Sequence, residues 1–267
     1  AEGKKGGQFY TPRSVVRLLV ELIRPFKGRI YDPCCGSGGM FVQSDRFIET
    51  HGMKTDNLSI YGQENNPTTW SLARMNLAIR GLRGNIGESN ADTLLRPLHP
   101  DLRADYVLAN PPFNLKDWGV EGVSDDPRWK LGTPPGSNAN FAWLQHINHH
   151  LNSKGKAAVV LANISLESDA KIEKELRKKL VQSNIVDAII MLPDKLFRTT
   201  PGPACIWILD KGRRSDKTES LFIDASGLGN KITRTQIELS DSDIKTIEEE
   251  FASWKTGSEY IGKVGFS

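Results

Sequence analysis

Cysteine is scarce in this sequence, with three residues at Cys34, Cys35 and Cys205. Two of them are adjacent and the total is odd, which argues against a disulfide framework and for a reducing, cytoplasmic setting. Long apolar runs are also missing, because the longest, such as Ala157 to Ala162, span six residues. A membrane-spanning helix needs about 20 residues, so no membrane association is expected. The first twelve residues are polar and contain no apolar signal-peptide core.

A strong excess of charge of either sign is absent as well. The net charge is +3 over 267 residues, which permits a polyanionic partner but does not require one. Hydrophobic residues make up 38% of the chain and charged residues 25%, which excludes disorder, collagen-like repeats and a coiled coil. The length allows one large domain or two small ones, with a sizeable buried core.

Strand-like and helical segments alternate along the chain. Helices are predicted directly after Thr11-Pro12, which act as the cap, and at residues 40–51, 67–81, 140–151, 170–181 and 240–254. Strands are predicted at residues 29–32, 58–64, 105–109, 156–162, 185–192 and 204–209. This alternation predicts an α/β fold, with a mostly parallel twisted sheet and helices on both faces. Ligands of such sheets bind beyond the carboxyl ends of the strands.

A glycine-rich loop, Asp32-Pro33-Cys34-Cys35-Gly36-Ser37-Gly38-Gly39, follows the first predicted strand. It could be a plain turn, but it lacks the third glycine of a dinucleotide-binding loop and the Lys-Ser/Thr end of a P-loop. A carboxylate at Asp32 would repel phosphate and attract a cationic ligand. S-adenosylmethionine, which carries an ammonium and a sulfonium, is such a ligand.

Two further carboxylates are candidates with open alternatives. Glu64 ends the second predicted strand, where an acidic residue of a nucleotide-binding sheet accepts hydrogen bonds from ribose. It could equally cap the helix that follows. Asp92 precedes a connection and could be a ligand or a turn residue.

The tetrapeptide Asn110-Pro111-Pro112-Phe113 follows a short buried strand and precedes an irregular segment, residues 115–138. The Asn110 amide oxygen and the Pro111 carbonyl could accept the two hydrogens of an adenine amine. These bonds strengthen as the amine nitrogen becomes tetrahedral, which stabilises the transition state without a strong base. Phe113 offers a flat face on which an extruded base could stack.

Together these motifs resemble amino-group DNA methyltransferases that act on adenine N6. The resemblance rests on Gly7-Gln8-Phe9-Tyr10-Thr11-Pro12, the glycine loop and Asn110-Pro111-Pro112-Phe113, in that order. Further stretches narrow it to the modification subunit of type I restriction-modification systems: residues 61–70, 75–81, 126–129 and 138–143. The resemblance runs from about Gly7 to Leu209. It implies a Rossmann-like fold and methylation of adenine N6 in double-stranded DNA, with S-adenosylmethionine as cofactor and base flipping.

The resemblance also implies roles for individual residues. The catalytic set is Asn110, Pro111, Pro112 and Phe113. The cofactor-binding set is Gln8, Phe9, Tyr10, Thr11, Pro12, Arg13, Asp32, Ser37, Gly38, Gly39, Glu64 and Asp92. Within this second set, residues 8–13 would contact the methionine part and Asp32 its ammonium, Glu64 would hold the ribose and Asp92 the adenine. No metal site is expected, since His146, His149 and His150 have no accompanying carboxylate.

Partners and domain limits follow from the same resemblance. A specificity subunit would select the DNA sequence, with two modification subunits for each specificity subunit, and a restriction subunit is a further implied partner. The methyltransferase domain is predicted at residues 1–238 and a helical tail at 239–267, and the helical N-terminal domain of the family is expected to be absent from this chain. Two other hypotheses remain: a methyltransferase acting on a glutamine amide or on RNA, and a DNA-binding remnant without activity.

Overall fold

The computed structural model describes residues 11–52, 58–197, 202–213 and 218–256. Eight strands form one sheet: β1 (Gly28–Asp32), β2 (Leu58–Gly62), β3 (Gly84–Asn85), β4 (Ala104–Ala109), β5 (Leu151–Ala162), β6 (Val186–Met191), β7 (Ala204–Asp210) and β8 (Leu221–Asp224). Their spatial order is β3-β2-β1-β4-β5-β7-β6-β8. All neighbouring pairs are parallel except those made by β7, which runs antiparallel to β5 and β6. The predicted mostly parallel sheet is therefore confirmed.

Seven helices accompany the sheet within the described residues: α1 (Arg13–Ile23), α2 (Gly39–Thr50), α3 (Pro67–Ile79), α4 (Asn140–His150), α5 (Ile164–Glu167), α6 (Lys171–Gln182) and α7 (Asp241–Thr256). The core cluster on one face takes side chains from α1, α2, α3 and α7, and the cluster on the other face takes them from α4 and α6. Helices on both faces explain why β6, β7 and residues 157–162 of β5 are almost entirely apolar. None of the described helices is long and apolar enough to cross a membrane.

Helix α1 shows how the sequence pattern produces the packing. Val15, Leu18, Leu19 and Leu22 recur at helical spacing and are all buried. The predicted cap by Thr11 is wrong, because Pro12 is the cap residue and makes no side-chain hydrogen bond to the helix. Proline fixes an extended backbone there, and the Thr11 hydroxyl is used elsewhere, as described below.

The region after Asp210 contains structure that the sequence pattern did not predict. A short antiparallel pair, β9 (Asn230–Thr233) and β10 (Gln236–Glu238), follows β8. A capping box opens α7, since the Ser240 backbone N–H donates to Asp243 at 2.8 Å and the Asp243 N–H donates back to the Ser240 hydroxyl at 3.2 Å. The buried apolar side chains of α7 join the same core cluster as α1. The division at residue 238 stays a prediction.

Candidate active site

The candidate site lies where two neighbouring parallel strands end. β1 pairs with β4 through Ile30 and Tyr106, and both strands point the same way. β1 continues into the glycine loop, and β4 continues into Asn110. The strand order reverses between β1 and β4, and ligands of open α/β sheets bind at such a switch point. The fold thus brings together the two motifs that lie about 75 residues apart in the sequence.

A cavity of about 290 Å³ opens at this point. That volume is near the lower end of the range typical of small-ligand sites. Among the predicted site residues, its lining includes Thr11, Arg13, Asp32, Ser37, Gly39 and Asn110. It also includes residues that sequence reasoning missed, namely Gln43 and Arg46 of α2, and Asn76 and Arg80 at the end of α3.

The glycine loop leaves room for a ligand. Gly36 and Gly38 adopt positive φ angles of 53° and 82°, which side chains other than glycine rarely tolerate. A Cβ atom built on Gly36 or Gly39 would meet no other part of the protein within 4 Å. The Asn76 side chain donates to the Ser37 carbonyl at 2.8 Å and ties the loop to α3. The loop is therefore held from one side and open on the other.

Asp32 is an acidic group in a place that penalises its charge. Its side chain is 2% exposed, and burial raises its pKa from 3.8 to about 7. The backbone N–H of Cys34 donates to its Oδ1 atom at 3.0 Å and partly opposes this rise. A positively charged ligand group beside Asp32 would favour the carboxylate and so lower its pKa.

Asn110 presents an unused acceptor to the same cavity. Its side-chain Nδ2 atom donates to the Thr11 hydroxyl at 2.8 Å. Its Oδ1 atom is buried and has no hydrogen-bond partner among the described residues. A buried carbonyl oxygen without a partner is costly, so a native protein normally satisfies it with a ligand or a water molecule. Because the amide nitrogen is held by Thr11, the oxygen is the end left for a donor.

The aromatic member of the tetrapeptide has an aromatic neighbour. Phe113 packs edge-to-face against Phe197, with ring centroids 5.4 Å apart. Both rings are partly buried and lie at the edge of the core. Neither ring is part of the cavity lining, although Phe113 follows Asn110 by three residues, so the predicted stacking of a base on Phe113 stays a prediction. Nothing in the sequence pattern alone singled out Phe197.

Glu64 holds backbone rather than lining the cavity. Its Oε2 atom accepts the Gly36 N–H at 3.0 Å, and its Oε1 atom accepts the Asn66 N–H at 2.8 Å. Asn66 in turn caps α3 by accepting the Thr69 N–H. Both oxygens of Glu64 thus fix the glycine loop and the start of the next helix. Each carboxylate oxygen can accept a further hydrogen bond, so the ribose role stays a prediction.

Asp92 makes the local contacts of a turn residue. Its Oδ1 atom accepts the backbone N–H groups of Leu94 and Leu95 at 2.9 and 3.2 Å. Like Glu64, it is not part of the cavity lining. Its predicted contact with a ligand adenine therefore has no direct support in the geometry and stays a prediction.

A buried arginine joins the irregular segment, residues 115–138, to the glycine loop. Arg128 pairs with Asp126 at 2.7 Å and donates to the Thr93 and Leu94 carbonyls at 3.0 and 2.5 Å. The Thr93 hydroxyl donates to the Pro33 carbonyl at 2.5 Å. This chain of bonds reaches from the irregular segment to the residue that follows Asp32. It gives the long segment a fixed position beside the glycine loop.

The best-buried histidine of α4 is His146, whose two ring nitrogens are both used in contacts within the protein. Arg128 donates to His146 Nδ1 at 2.9 Å, so the neutral ring carries its hydrogen on Nε2 and donates to the Tyr31 hydroxyl at 3.1 Å. Burial, and then His150 and Arg128, lower the pKa of His146 well below 6.5. No cluster of metal-ligating side chains is found in the part of the chain that the structure describes.

Three arginines give the cavity a positive rim. Arg13, Arg46 and Arg80 all line it, and none forms an ion pair with another described residue.

The remaining predicted site residues lie outside the described part of the chain or beside the cavity. The predicted contacts Gln8, Phe9 and Tyr10 lie outside the described residues. Pro12 begins α1 and its carbonyl accepts the Val16 N–H. Gly38 stands between two lining residues, while Pro111 and Pro112 continue the strand end beyond Asn110.

Comparison with known proteins identifies the family. A family model described as N-6 DNA methylase matches residues 1–267. The methylase subunit of the type I restriction enzyme HindI from Haemophilus influenzae is 47% identical and aligns with 100% of this chain and 60% of its own length. The MjaIX methylase subunit from Methanocaldococcus jannaschii is 38% identical and aligns with 100% of this chain and 49% of its own. This chain thus spans about half to three-fifths of these relatives.

A solved structure agrees with the sequence comparison. The methyltransferase subunit of a type I restriction-modification system from Streptococcus thermophilus superposes with a TM-score of 0.84 and 32% identity, over 94% of this chain and 54% of that one. The predicted methyltransferase fold is therefore confirmed. By its sequence and its fold, the chain belongs to the N-6 DNA methylase family.

Proposed function

We propose that this chain transfers a methyl group from S-adenosylmethionine to N6 of adenine in double-stranded DNA, as part of a type I restriction-modification system. The observation that carries the proposal is the buried, unpartnered Oδ1 atom of Asn110 in the cavity that Asp32 also lines. Two groups lie at one switch point of the sheet: an acceptor for an amine hydrogen, at Asn110, and a carboxylate suited to a cation, at Asp32. That combination matches the needs of amine methylation by a cationic methyl donor.

The cavity lining fits such a donor. The acidic Asp32 suits an ammonium group, and the open glycine loop at Ser37 to Gly39 admits a ligand close to the backbone. Arg13 could pair with a carboxylate of the same ligand, since it has no ionic partner among the described residues. When bound, S-adenosylmethionine supplies a methyl group on a positively charged sulfur, which is an electrophile for an amine nitrogen.

Asn110 and Pro111 supply the electrostatic stabilisation. The adenine amine would donate one hydrogen to Asn110 Oδ1 and the other to the Pro111 carbonyl. As the bond between N6 and the methyl carbon formed, the carbon–sulfur bond would break and its electron pair would return to sulfur, leaving a neutral thioether. The positive charge developing on N6 would strengthen both hydrogen bonds. The extra proton then leaves N6 for solvent. Acceptors fixed in this way contribute more in the transition state than in the ground state.

Phe113 and Phe197 support the flipped base. An adenine inside a duplex cannot reach a cavity between strand ends, so it must leave the stack, at a cost of a few kcal/mol. Stacking on an aromatic ring contributes about 1–3 kcal/mol per base and offsets that cost. The contact between the two rings holds Phe113 at a fixed angle beside Asn110.

Partners are proposed from the relatives. HindI and MjaIX methylases are named as subunits of type I restriction enzymes, which supports assembly of this chain with other subunits. We propose that these are a specificity subunit, with two modification subunits for each, and a restriction subunit. The chain has a net charge of +3, so the protein as a whole attracts DNA only weakly and without regard to sequence. Sequence selection is therefore assigned to the specificity subunit.

The test is transfer of a labelled methyl group by the chain assembled with its specificity subunit. Duplex DNA free of N6-methyladenine, RNA and a glutamine-containing protein are offered in separate reactions with tritiated S-adenosylmethionine. We expect label in DNA, recovered as N6-methyladenosine after digestion to nucleosides. Label in RNA or protein would favour the alternative methyltransferase. Saturable cofactor binding with no transfer to any acceptor would favour an inactive remnant.

A further inference from the structure

A second cavity, of about 410 Å³, lies at the amino-terminal ends of the parallel strands, whereas Asn110 lies at their carboxyl ends. Arg103 directly precedes β4, Leu151 begins β5, and Ile185 directly precedes β6; all three line it. Lys211 also lines it, because β7 is antiparallel and ends where its neighbours begin. The cavity is therefore separate from the proposed methyl-transfer site.

Three positive side chains converge on this cavity from separate segments, together with His149, which its lowered pKa leaves mostly neutral at pH 7. Arg103 comes from the turn before β4, Lys130 from the irregular segment, His149 from α4 and Lys211 from the end of β7. No carboxylate is part of its lining among the described residues. We call this group of four residues the cationic cluster.

A further cation of the lining, Arg128, does not belong to the cluster because it is already satisfied. It pairs with Asp126 and donates to the Thr93 and Leu94 carbonyls and to His146. Asp126 is also the nearby carboxylate that raises the pKa of His149, and its charge is committed to Arg128. The cluster is thus left without a counter-charge of its own.

The electrostatics of the cluster reflect this imbalance. Burial, and then Lys130 and Arg103, lower the pKa of Lys211. Burial, and then Arg103, Lys130 and Arg128, lower the pKa of His149. Lys211 donates to the Leu151 carbonyl at 3.1 Å, which anchors its ammonium at the cavity without neutralising it. Holding like charges together costs free energy, and a bound anion would remove that cost.

Neutral polar groups complete the lining. Ser153, Ser183 and Asn148 line the cavity beside the cations. The Ser183 hydroxyl donates to the Leu180 carbonyl at 2.6 Å, which leaves the Ser153 hydroxyl and the Asn148 Nδ2 group as the neutral donors of the lining. A tetrahedral oxyanion accepts donors from several directions, which four separate segments can supply.

We propose that this cavity is a binding site for a phosphate group. Arginine, lysine and neutral hydroxyl donors around a concave surface are the groups that recognise phosphate in proteins. The phosphate could belong to a free anion or to the backbone of a nucleic acid, and both present the same oxygens. The site neither uses nor blocks the cavity at Asn110, so it does not rest on the proposed methyl transfer.

The test compares two double variants with the same change in net charge. Lys130→Gln/Lys211→Gln removes two cations of the cluster, and Lys171→Gln/Lys178→Gln removes two exposed cations of α6. Binding of inorganic phosphate is measured by calorimetry. Binding of a duplex made only of G·C pairs, which has no adenine to flip, is measured by fluorescence anisotropy.

We expect the first variant to bind at least one of the two probes about tenfold or more weakly than the wild type, and the control to bind within about twofold. Loss of phosphate binding would identify a free anion, and loss confined to the duplex would identify the nucleic-acid backbone. Equal binding by both variants, or no saturable binding of either probe by the wild type, would overturn the proposal. If the double variant fails to fold, Arg103→Gln removes another cation of the cluster, and binding of both probes is measured with that variant instead. Unchanged S-adenosylmethionine binding in all variants would keep this result separate from the proposed function.

Discussion

Removing the charge of Asp32 tests the cofactor site most quantitatively. In Asp32→Asn the side-chain oxygen can still accept the Cys34 N–H, so the loop keeps its hydrogen bond and loses only a titratable charge. The wild-type carboxyl has a pKa of about 7 in the free protein, and a cationic ligand would lower it. Binding should therefore strengthen as pH rises toward 7, when the carboxylate becomes populated.

The size of the effect follows from that pKa. With a pKa of about 7, the ionised fraction rises from about 0.03 at pH 5.5 to about 0.5 at pH 7.0. The affinity for S-adenosylmethionine should therefore rise about 15-fold over this range, where the α-amino group of the ligand stays mostly charged. At pH 6 the wild type should release about 0.9 proton on binding, and Asp32→Asn should release none.

Calorimetry in two buffers of different ionisation enthalpy measures the released proton directly. Weaker binding by Asp32→Asn together with no proton release would agree with the assignment. Binding by the wild type that is independent of pH between 5.5 and 7.0, with no proton release, would refute the reasoning.

Protein stability gives an independent check on the same residue. The folded-state pKa of Asp32 is raised, so its neutral form stabilises the fold below about pH 4, and this contribution is lost as pH rises through about 7. Without ligand, Asp32→Asn should be more stable than the wild type at pH 8, by at most about 4 kcal/mol from a pKa shift of about 3. The difference in urea denaturation should disappear near pH 4.

Three further substitutions test other contacts. Thr11→Val should lower kcat at least tenfold with little change in the KM for S-adenosylmethionine, because the Thr11 hydroxyl orients the Asn110 amide. Thr11→Ser keeps the hydroxyl and should restore kcat, so an equal loss of kcat in both variants would contradict this role. Glu64→Ala should weaken cofactor binding in calorimetry more than Asn110→Ala does, since it frees the glycine loop, and the reverse order would refute that role. Lys255→Met should destabilise the protein by about 2 kcal/mol in urea denaturation, because the buried Asp187 carboxylate loses one of its positively charged partners. An unchanged denaturation midpoint would show that this ion pair does not stabilise the fold.

Much of the fold was predictable because the apolar residues of the long helices and central strands follow a clear pattern along the sequence where those elements are buried. The alternation of apolar segments predicted β1, β2, β4, β6, β7 and the long helices to within a few residues, whereas β5 begins at Leu151 and not at residue 156 as predicted. The short strands β3, β8, β9 and β10 were not predicted, since two to four residues carry no measurable period. Their pairing depends on neighbours that only the folded chain supplies.

The candidate site was predictable where motifs directly follow strands. Asp32 and Asn110 lie together because the two parallel strands that precede them are neighbours. The hydrogen bond between Asn110 and Thr11 joins residues 99 positions apart, so the sequence near Thr11 could not reveal it and predicted a helix cap at that position. Arg46 and Arg80 were not predicted, because they belong to no motif: one lies on α2 and the other directly follows α3, and only the folded chain brings both to the cavity.

The central claim is that Asn110 stabilises the transition state and does not bind the cofactor. The most direct measurement is single-turnover methyl transfer to duplex DNA by the assembled wild type and by Asn110→Ala, with the S-adenosylmethionine affinity of both measured by calorimetry. The account predicts a rate lower by about 100-fold or more in the variant, with an affinity within about threefold of the wild type. A variant that transfers methyl groups at the wild-type rate, or that loses affinity and rate in equal measure, would contradict it.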